Sequence, residues 1–289
     1  MGTLLWLKTE VMRKKMTGIN YSRQQITSKY LADLGLSLEI RDIDFLAKLQ
    51  SKHIARYSFN SLAVVLGQKI SLDLPMIFDK IVERKRGGYC FEHNKLVFNI
   101  LEELGFEVRL LLAKVVNGKS LDVPRTHRVN LLNFQGDKYI VDAGFGFQGP
   151  LYPIKLEVGL EHKQGDTCYR VITHENGDYC FQILKDNEFL TLYTFDLRNY
   201  SEAECLPAHF YSCNYPNAVF VQNLVVSRNC FYDVKSLRNG DFYRRYKGKA
   251  QTTKVSSSEV LHQIFSEDFK LELDFAVAEF LYSKFIDKQ

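Results

Sequence analysis

Proline, paired cysteine motifs, long apolar runs and charge of one sign are all scarce in this chain, and each shortage removes a class of protein. With only 6 Pro and 17 Gly among 289 residues, collagen-like repeats and low-complexity disorder are excluded. No apolar run approaches the roughly 18 residues that span a bilayer, which excludes a transmembrane helix. The net charge of +4 is too small to point to nucleic acid. Six cysteines, at 90, 168, 180, 205, 213 and 230, are scattered with no CxxC, so neither a disulfide scaffold nor a zinc finger fits. A reducing cytoplasm is therefore the expected compartment. Cys90 and His93 share a CxxH spacing, but no second ligand pair lies nearby, and no metal site is expected.

What remains is a globular composition, 46% hydrophobic and 13% aromatic, long enough for about two domains of ~150 residues. At the start, Leu4, Leu5, Trp6 and Leu7 precede Arg13, Lys14 and Lys15, the reverse of a secretory signal. Residues 1–22 read as an N-terminal extension, with Met12 and Met16 as alternative starts.

Residues 23–105 read mainly as helix. Ile40, Ile43, Leu46 and Leu49 recur at helical spacing, with Phe45 and Ile54 beside them. A second helix is expected over Asp73 to Val82. A third starts near Cys90 and carries Leu96, Val97, Ile100, Leu101 and Leu104 before the stop at Gly105. The texture then changes. Over 106–203, short β-branched or aromatic segments (108–116, 128–134, 138–141, 179–184 and 189–195) are separated by turns such as Gln135-Gly136-Asp137 and Asn176-Gly177-Asp178. That pattern is an antiparallel meander, a barrel or half-barrel. From 204 to 289 strands are expected over 218–226, 230–237 and 241–246, then a helix capped by Ser256 and Glu259 ahead of Val260, Leu261, Ile264 and Phe265.

The chemistry gathers in Arg86-Gly87-Gly88-Tyr89-Cys90-Phe91-Glu92-His93-Asn94. A glycine pair turns the chain and delivers Cys90 to the first turn of a helix, where free N–H groups and the helix dipole favour an anion. A thiol there is a candidate nucleophile. The same residues also suit a buried structural cysteine behind a loop. A nucleophile needs a base and an orienting acceptor. His127 and Asp142 lie on either limb of a predicted hairpin. If Gln135-Gly136 is a two-residue loop, His127 falls opposite Gly144, with Asp142 on the diagonal of the same face. A three-residue loop would separate them. His53, His162, His174, His209 and His262 have no comparable setting and read as surface or packing residues.

These residues resemble the arylamine N-acetyltransferase family. Arg86, Gly87, Gly88, Cys90, Glu92 and Asn94 match its RGGxCxE(x)N segment. Thr126-His127 match its TH strand, and Val141, Asp142, Gly144, Phe145 and Gly146 its VDxGFG strand end. The resemblance spans roughly 23–289. It implies an α+β fold with an N-terminal helical bundle, a central antiparallel β-barrel and a C-terminal α/β lid around a cysteine-protease-like Cys-His-Asp core.

The resemblance further implies ping-pong acetyl transfer from acetyl-CoA, through acetyl-Cys90, to arylamines, arylhydrazines or arylhydroxylamines. Cys90, His127 and Asp142 would be catalytic, and Phe145, Phe59 and Gly144 would contact substrate. Arg86, Gly87, Gly88, Glu92 and Asn94 would support the site. Acetyl-CoA enters as a co-substrate rather than a bound cofactor. Neither metal, nucleic acid nor membrane is expected, and the chain would be a monomer or weak homo-oligomer.

Two departures stand out. Asn60, in Ser58-Phe59-Asn60-Ser61-Leu62, replaces the acidic residue of the family's PFEN segment, so Arg86 would need another partner. In Cys213-Asn214-Tyr215-Pro216-Asn217-Ala218-Val219-Phe220, only Pro216 and Phe220 keep the family's S-T-x-P-x-S-x-F pattern, which puts the coenzyme contacts at that end in doubt. Arg244, Arg245, Lys247 and Lys249 suit either coenzyme phosphates or a solvated strand face. A thiol peptidase or amidase would use the same trio, and a catalytically silent relative would bind without needing it.

Overall fold

A computed structural model describes residues 21–37, 41–118 and 122–287. The proposed extension up to residue 20, and Ile40, fall outside the described residues. Helix α1 (Arg23–Asp33) starts where Ser22 and Gln25 exchange backbone and side-chain hydrogen bonds. Helix α2 (Ile43–Arg56) is capped by Asp42 and buries Phe45, Leu46, Leu49 and His53 along one face. Strand β1 (Phe59–Asn60) and a one-turn helix α3 (Leu62–Val65) follow. The expected helix over 73–82 is helix α4 (Leu74–Phe78) continued by a π-helical turn, Asp79–Glu83. Helix α5 (Cys90–Glu103) then runs through the centre, with Leu96, Val97, Ile100 and Leu101 fully buried against Ile77, Phe78 and Ile81. Gly105, at φ +80°, takes the left-handed conformation that ends it.

Eight strands form one antiparallel sheet in the order β5-β4-β3-β2-β9-β8-β7-β6: β2 (Glu107–Val115), β3 (His127–Phe134), β4 (Asp137–Val141), β5 (Ile154–Lys155), β6 (Glu161–Gln164), β7 (Thr167–Thr173), β8 (Tyr179–Lys185) and β9 (Glu188–Phe195). Its core holds Leu111, Val129, Leu131, Ile140, Val171 and Phe181. The two edges approach each other, so the sheet is a nearly closed barrel. Gln164, at the end of β6, accepts from Tyr152 N–H and donates to Tyr152 C=O (3.0 and 3.1 Å), just ahead of β5. The Gln135-Gly136 loop has two residues, since Phe134 pairs with Asp137. Both loop residues have positive φ (+52° and +87°), as a type I′ turn requires.

A second sheet, β1-β10-β11-β12-β13, is built from β10 (Val225–Asn229), β11 (Asp233–Arg238), β12 (Asp241–Tyr246) and β13 (Lys249–Lys254). Phe59 pairs with Ser227, so the helical segment donates an edge strand to the C-terminal sheet. Helices α6 (Glu202–Asn214) and α7 (Val219–Gln222) precede this sheet; α8 (Ser258–Gln263) and α9 (Phe275–Phe285) pack Leu261 and Leu281 on Val226 and Leu237. Among the described residues, no helix is long and apolar enough to cross a membrane.

Several expectations need correction. The strand over 218–226 is α7 followed by β10, because the Ala218 carbonyl accepts from Val221 and Gln222 and winds a turn there. The strand expected from Cys230 starts at Asp233; Phe231 and Tyr232 are the hairpin loop between two Cys230–Asp233 backbone bonds. The cap of α8 is Ser257 rather than Ser256, with its hydroxyl accepting from Val260 N–H. Helix α6 and strands β5, β6, β7 and β13 were not anticipated. Pro207 obscures α6, although Ser201 and Glu204 mark its start. Strand β13 is exposed along its whole length and has no alternation to read.

Replacing Gln164 with Ala should cost about 1–2 kcal/mol of stability, the worth of the two bonds that tie the barrel edges. Urea unfolding of Gln164→Ala against the parent measures it.

Candidate active site

Cys90 is the first residue of α5, so its thiol lies at the head of the helix, 3% exposed. The turn that delivers it is tight. Gly87 has φ +61°, and a Cβ there would sit 2.0 Å from the Ser58 carbonyl oxygen. The Cys90 thiol donates to the carbonyl of Thr126 at 3.6 Å, which seats the sulfur beside the start of β3. Burial pushes this thiol well above the usual range, while the backbone N–H groups of Arg128 and Phe91 act in the opposite direction.

His127 opens β3 and pairs with Ala113 of β2, not with Gly144. The β3–β4 ladder stops at Asn130 opposite Val141, and Asp142 lies just beyond it. The side chains still meet, because the even loop puts them on one face. His127 Nε2 donates to Asp142 Oδ2 at 2.8 Å, with both groups buried. That bond leaves Nδ1 as the free ring nitrogen.

The Asp142 carboxylate accepts three hydrogen bonds, one of them from His127. Its Oδ1 accepts from Asn94 Nδ2 at 2.8 Å and from Gly144 N–H at 3.1 Å. Burial would raise this carboxyl, but the charge and hydrogen bond of His127, with the Asn94 and Gly144 donors, hold it below the ordinary carboxylate range. Asn94, one turn along α5 from Cys90, also donates to Arg128 C=O (2.6 Å) and accepts from Ala143 N–H (2.9 Å). One side chain thus ties the helix of Cys90 to β3 and to the strand end that carries Asp142. Gly144 makes this closeness possible, since a Cβ there would lie 2.9 Å from Asn94 Nδ2 and 3.1 Å from Cys90 Cα.

Phe145 stands edge-on to the His127 ring at 5.3 Å, and Tyr193 packs on both rings at 5.2 and 5.4 Å. Tyr193 was not singled out in the sequence. Its hydroxyl is buried, and burial together with the neighbouring Asp142 carboxylate pushes its pKa up. Phe59 is buried against Phe220 and the backbone of Gly146, and with Phe145 it borders only a void of about 10 Å³ beside Asp142. The open space lies elsewhere. A cleft of about 1210 Å³ runs between barrel and second sheet and reaches Thr126, with Phe147, Tyr169, Phe220, Arg238, Tyr243 and Arg245 among its walls.

The supporting residues divide. Glu92 is buried; its carboxylate accepts from Tyr89 N–H (3.2 Å) and from Lys80 Nζ (2.7 and 2.9 Å). Arg86 is exposed, and Asn60 Nδ2 holds its carbonyl at 3.0 Å. The ion pair made by this turn therefore belongs to Lys80. His93 takes a hydrogen bond from the buried His53 (2.7 Å) and gives its Nε2–H to Ser58 C=O. The basic run also splits, as neighbours on β12 face opposite ways. Arg244 is paired with Asp233 and Lys247 lies over the Tyr246 ring, whereas Arg245 turns into the cleft and donates to Thr167 at 3.1 Å.

This geometry can be set beside known proteins. The N-acetyltransferase family model matches residues 42–278. The arylamine N-acetyltransferase of Escherichia coli (strain K12) is 34% identical over 237 residues, 81% of this chain and 84% of the relative. The solved arylamine N-acetyltransferase from Salmonella typhimurium aligns at TM-score 0.84 with 26% identity, covering 89% of this chain and 98% of that one. The Mycobacterium marinum arylamine N-acetyltransferase in complex with CoA shares the fold at TM-score 0.84 and 24% identity, over 90% and 99% of the two chains. With the family model covering most of its length, this chain belongs to the arylamine N-acetyltransferases, a family of acyltransferase enzymes.

Proposed function

We propose that this chain transfers an acetyl group from acetyl-CoA to the nitrogen, or oxygen, of arylamines, arylhydrazines or arylhydroxylamines by a ping-pong reaction through acetyl-Cys90. The observation that carries the reading is a thiol at a helix head, hydrogen-bonded to the residue before a histidine whose far nitrogen is bound to a buried carboxylate. Burial keeps the isolated thiol protonated, so the thiolate forms by passing its proton to His127 Nδ1. Asp142 fixes the tautomer and balances the imidazolium.

The thiolate then attacks the acetyl carbonyl. N–H groups at the head of α5 favour the oxyanion. Its collapse expels the coenzyme thiolate, which takes the proton from His127. In the second half-reaction the acceptor attacks acetyl-Cys90, His127 accepts the acceptor's proton, and the Cys90 thiolate leaves. A thioester exchanges with a thioester at little cost, whereas forming an amide draws the second step forward.

The cleft gives acetyl-CoA a path to Thr126, and Arg238 and Arg245 line it as cations for a phosphorylated donor. Phe145, half-buried and edge-on to the imidazole, is the aromatic face proposed to meet an aromatic acceptor, with the buried Tyr193 packed behind it. Phe59, packed behind Gly146, shapes that wall from beneath. The chain works without a bound cofactor, as a monomer or weak homo-oligomer in the cytoplasm, on this reading.

Incubation with acetyl-CoA alone should add the mass of one acetyl group at Cys90, discharged by an arylamine and absent in Cys90→Ser. No adduct, together with hydrolysis of peptide esters, would identify a thiol peptidase instead; ligand binding that survives Cys90→Ala without parent turnover would identify a silent binder. Asp142→Asn should lower the acylation rate roughly 10³-fold or more, because the imidazole loses its orienting acceptor. Stopped-flow acylation reads this directly.

A linkage effect follows from the same carboxylate. Since Asp142 is held low in the fold, its stabilisation is complete above the unfolded value of about 3.9 and fades as pH falls through the native one. Acid unfolding of Asp142→Asn should lack that loss. Asn94→Ala should cost about 3 kcal/mol in urea, as it strips partners from three buried groups.

A further inference from the structure

Lys80 lies on the π-helical turn Asp79–Glu83, where an uninterrupted α-helix was expected. Such turns displace the side chains they carry and recur at functional sites. Here Lys80 grips the glycine turn ahead of Cys90 at both ends. Its carbonyl accepts from Arg86 N–H at 2.9 Å, and its ammonium reaches both oxygens of Glu92 on the first turn of α5. Glu92 in turn closes on Tyr89 N–H, one of the orphan donors at the helix head. Gly88 leaves room for it, since a Cβ there would meet Glu92 Oε2 at 2.9 Å. The carboxylate is 1% exposed, so it depends on this cation for its place. It also brings a negative charge to the helix end that favours the Cys90 anion.

We propose that Lys80 is a positioning residue for the nucleophile: it holds the Glu92 carboxylate on the Tyr89 N–H, which sets the turn that delivers Cys90, and it cancels the charge that this carboxylate places at the thiol's helix head. The inference rests on Cys90 being the nucleophile. It separates the two jobs of Glu92. Capping needs only an acceptor oxygen at that position, which Gln also supplies, while Lys80 answers the charge. The ionisable groups that act on the sulfur are Asp142 from the barrel, itself bound to His127, and Cys213 from α6, with Tyr89 beside it on the glycine turn. Glu92, two residues along α5, closes on the Tyr89 N–H. His93 and His209 also feel Lys80, whose charge disfavours their protonation. Lys80 is the cation that meets Glu92.

The test is the pH dependence of Cys90 alkylation by iodoacetamide, read as mass gain on the Cys90 peptide of the full chain. Lys80→Met should alkylate ~10-fold more slowly at neutral pH, with the profile displaced upward by about one unit. Lys80→Arg should run close to the parent. The double variant Lys80→Met/Glu92→Gln, which keeps the cap and removes both charges, should recover the parent profile. Glu92→Gln alone, which keeps the cap and leaves the Lys80 charge uncompensated, should displace the profile downward, and it carries the test even if Lys80→Met fails to fold.

A Lys80→Met profile that matches the parent, with only the melting temperature lowered, would overturn the proposal. So would a double variant that stays displaced. A parent whose Cys90 resists alkylation across the range would instead defeat the nucleophile reading itself and take the proposal with it.

Discussion

The site depends on how a buried carboxylate is satisfied. Asp142 has no access to water, and a charge in that position persists only where every acceptor site finds a donor. His127 supplies one, the Gly144 N–H a second and Asn94 a third. Because Asn94 belongs to α5, two residues before the buried stripe that anchors that helix in the core, the carboxylate also fixes helix against barrel. The thiol, on the same helix, is thereby registered against the imidazole. Stability and chemistry share one set of bonds, and Gly144 is small because the strand end must reach the backbone of Cys90.

Much of this site was legible in the sequence, for a physical reason. A nucleophile at a helix head needs a turn, a small residue at positive φ and a fixed distance to the helix, which are all local. Gly87, Gly88 and Cys90 therefore declare themselves. The even hairpin loop likewise put His127 and Asp142 on one face, although the ladder ends before either residue and the contact is made by side chains alone. Tyr193 and Lys80 were hidden. One reaches His127 across the barrel from β9, and the other meets Glu92 from a π-helical turn that precedes the glycine pair. Neither leaves a period or a spacing to read. Helix α6 was lost to Pro207, and β13 to a polar sequence with no buried face.

Charge in this molecule matters locally rather than in sum. A net +4 hides a part-buried Lys80–Glu92 ion pair and the buried Asp142 carboxylate bound to His127, and it also hides two arginines, Arg238 and Arg245, facing one cleft. Asn60 Nδ2 holds the Arg86 carbonyl, and the Arg86 side chain is left exposed.

The central claim is that Asp142 sets the tautomer of His127 and leaves Nδ1 as the nitrogen that takes the thiol proton. Long-range proton–nitrogen NMR of the His127 ring tests it most directly. The account predicts a ring protonated at Nε2, with a downfield Nε2–H resonance that disappears in Asp142→Asn. A ring protonated at Nδ1, or a tautomer indifferent to Asp142→Asn, would contradict it.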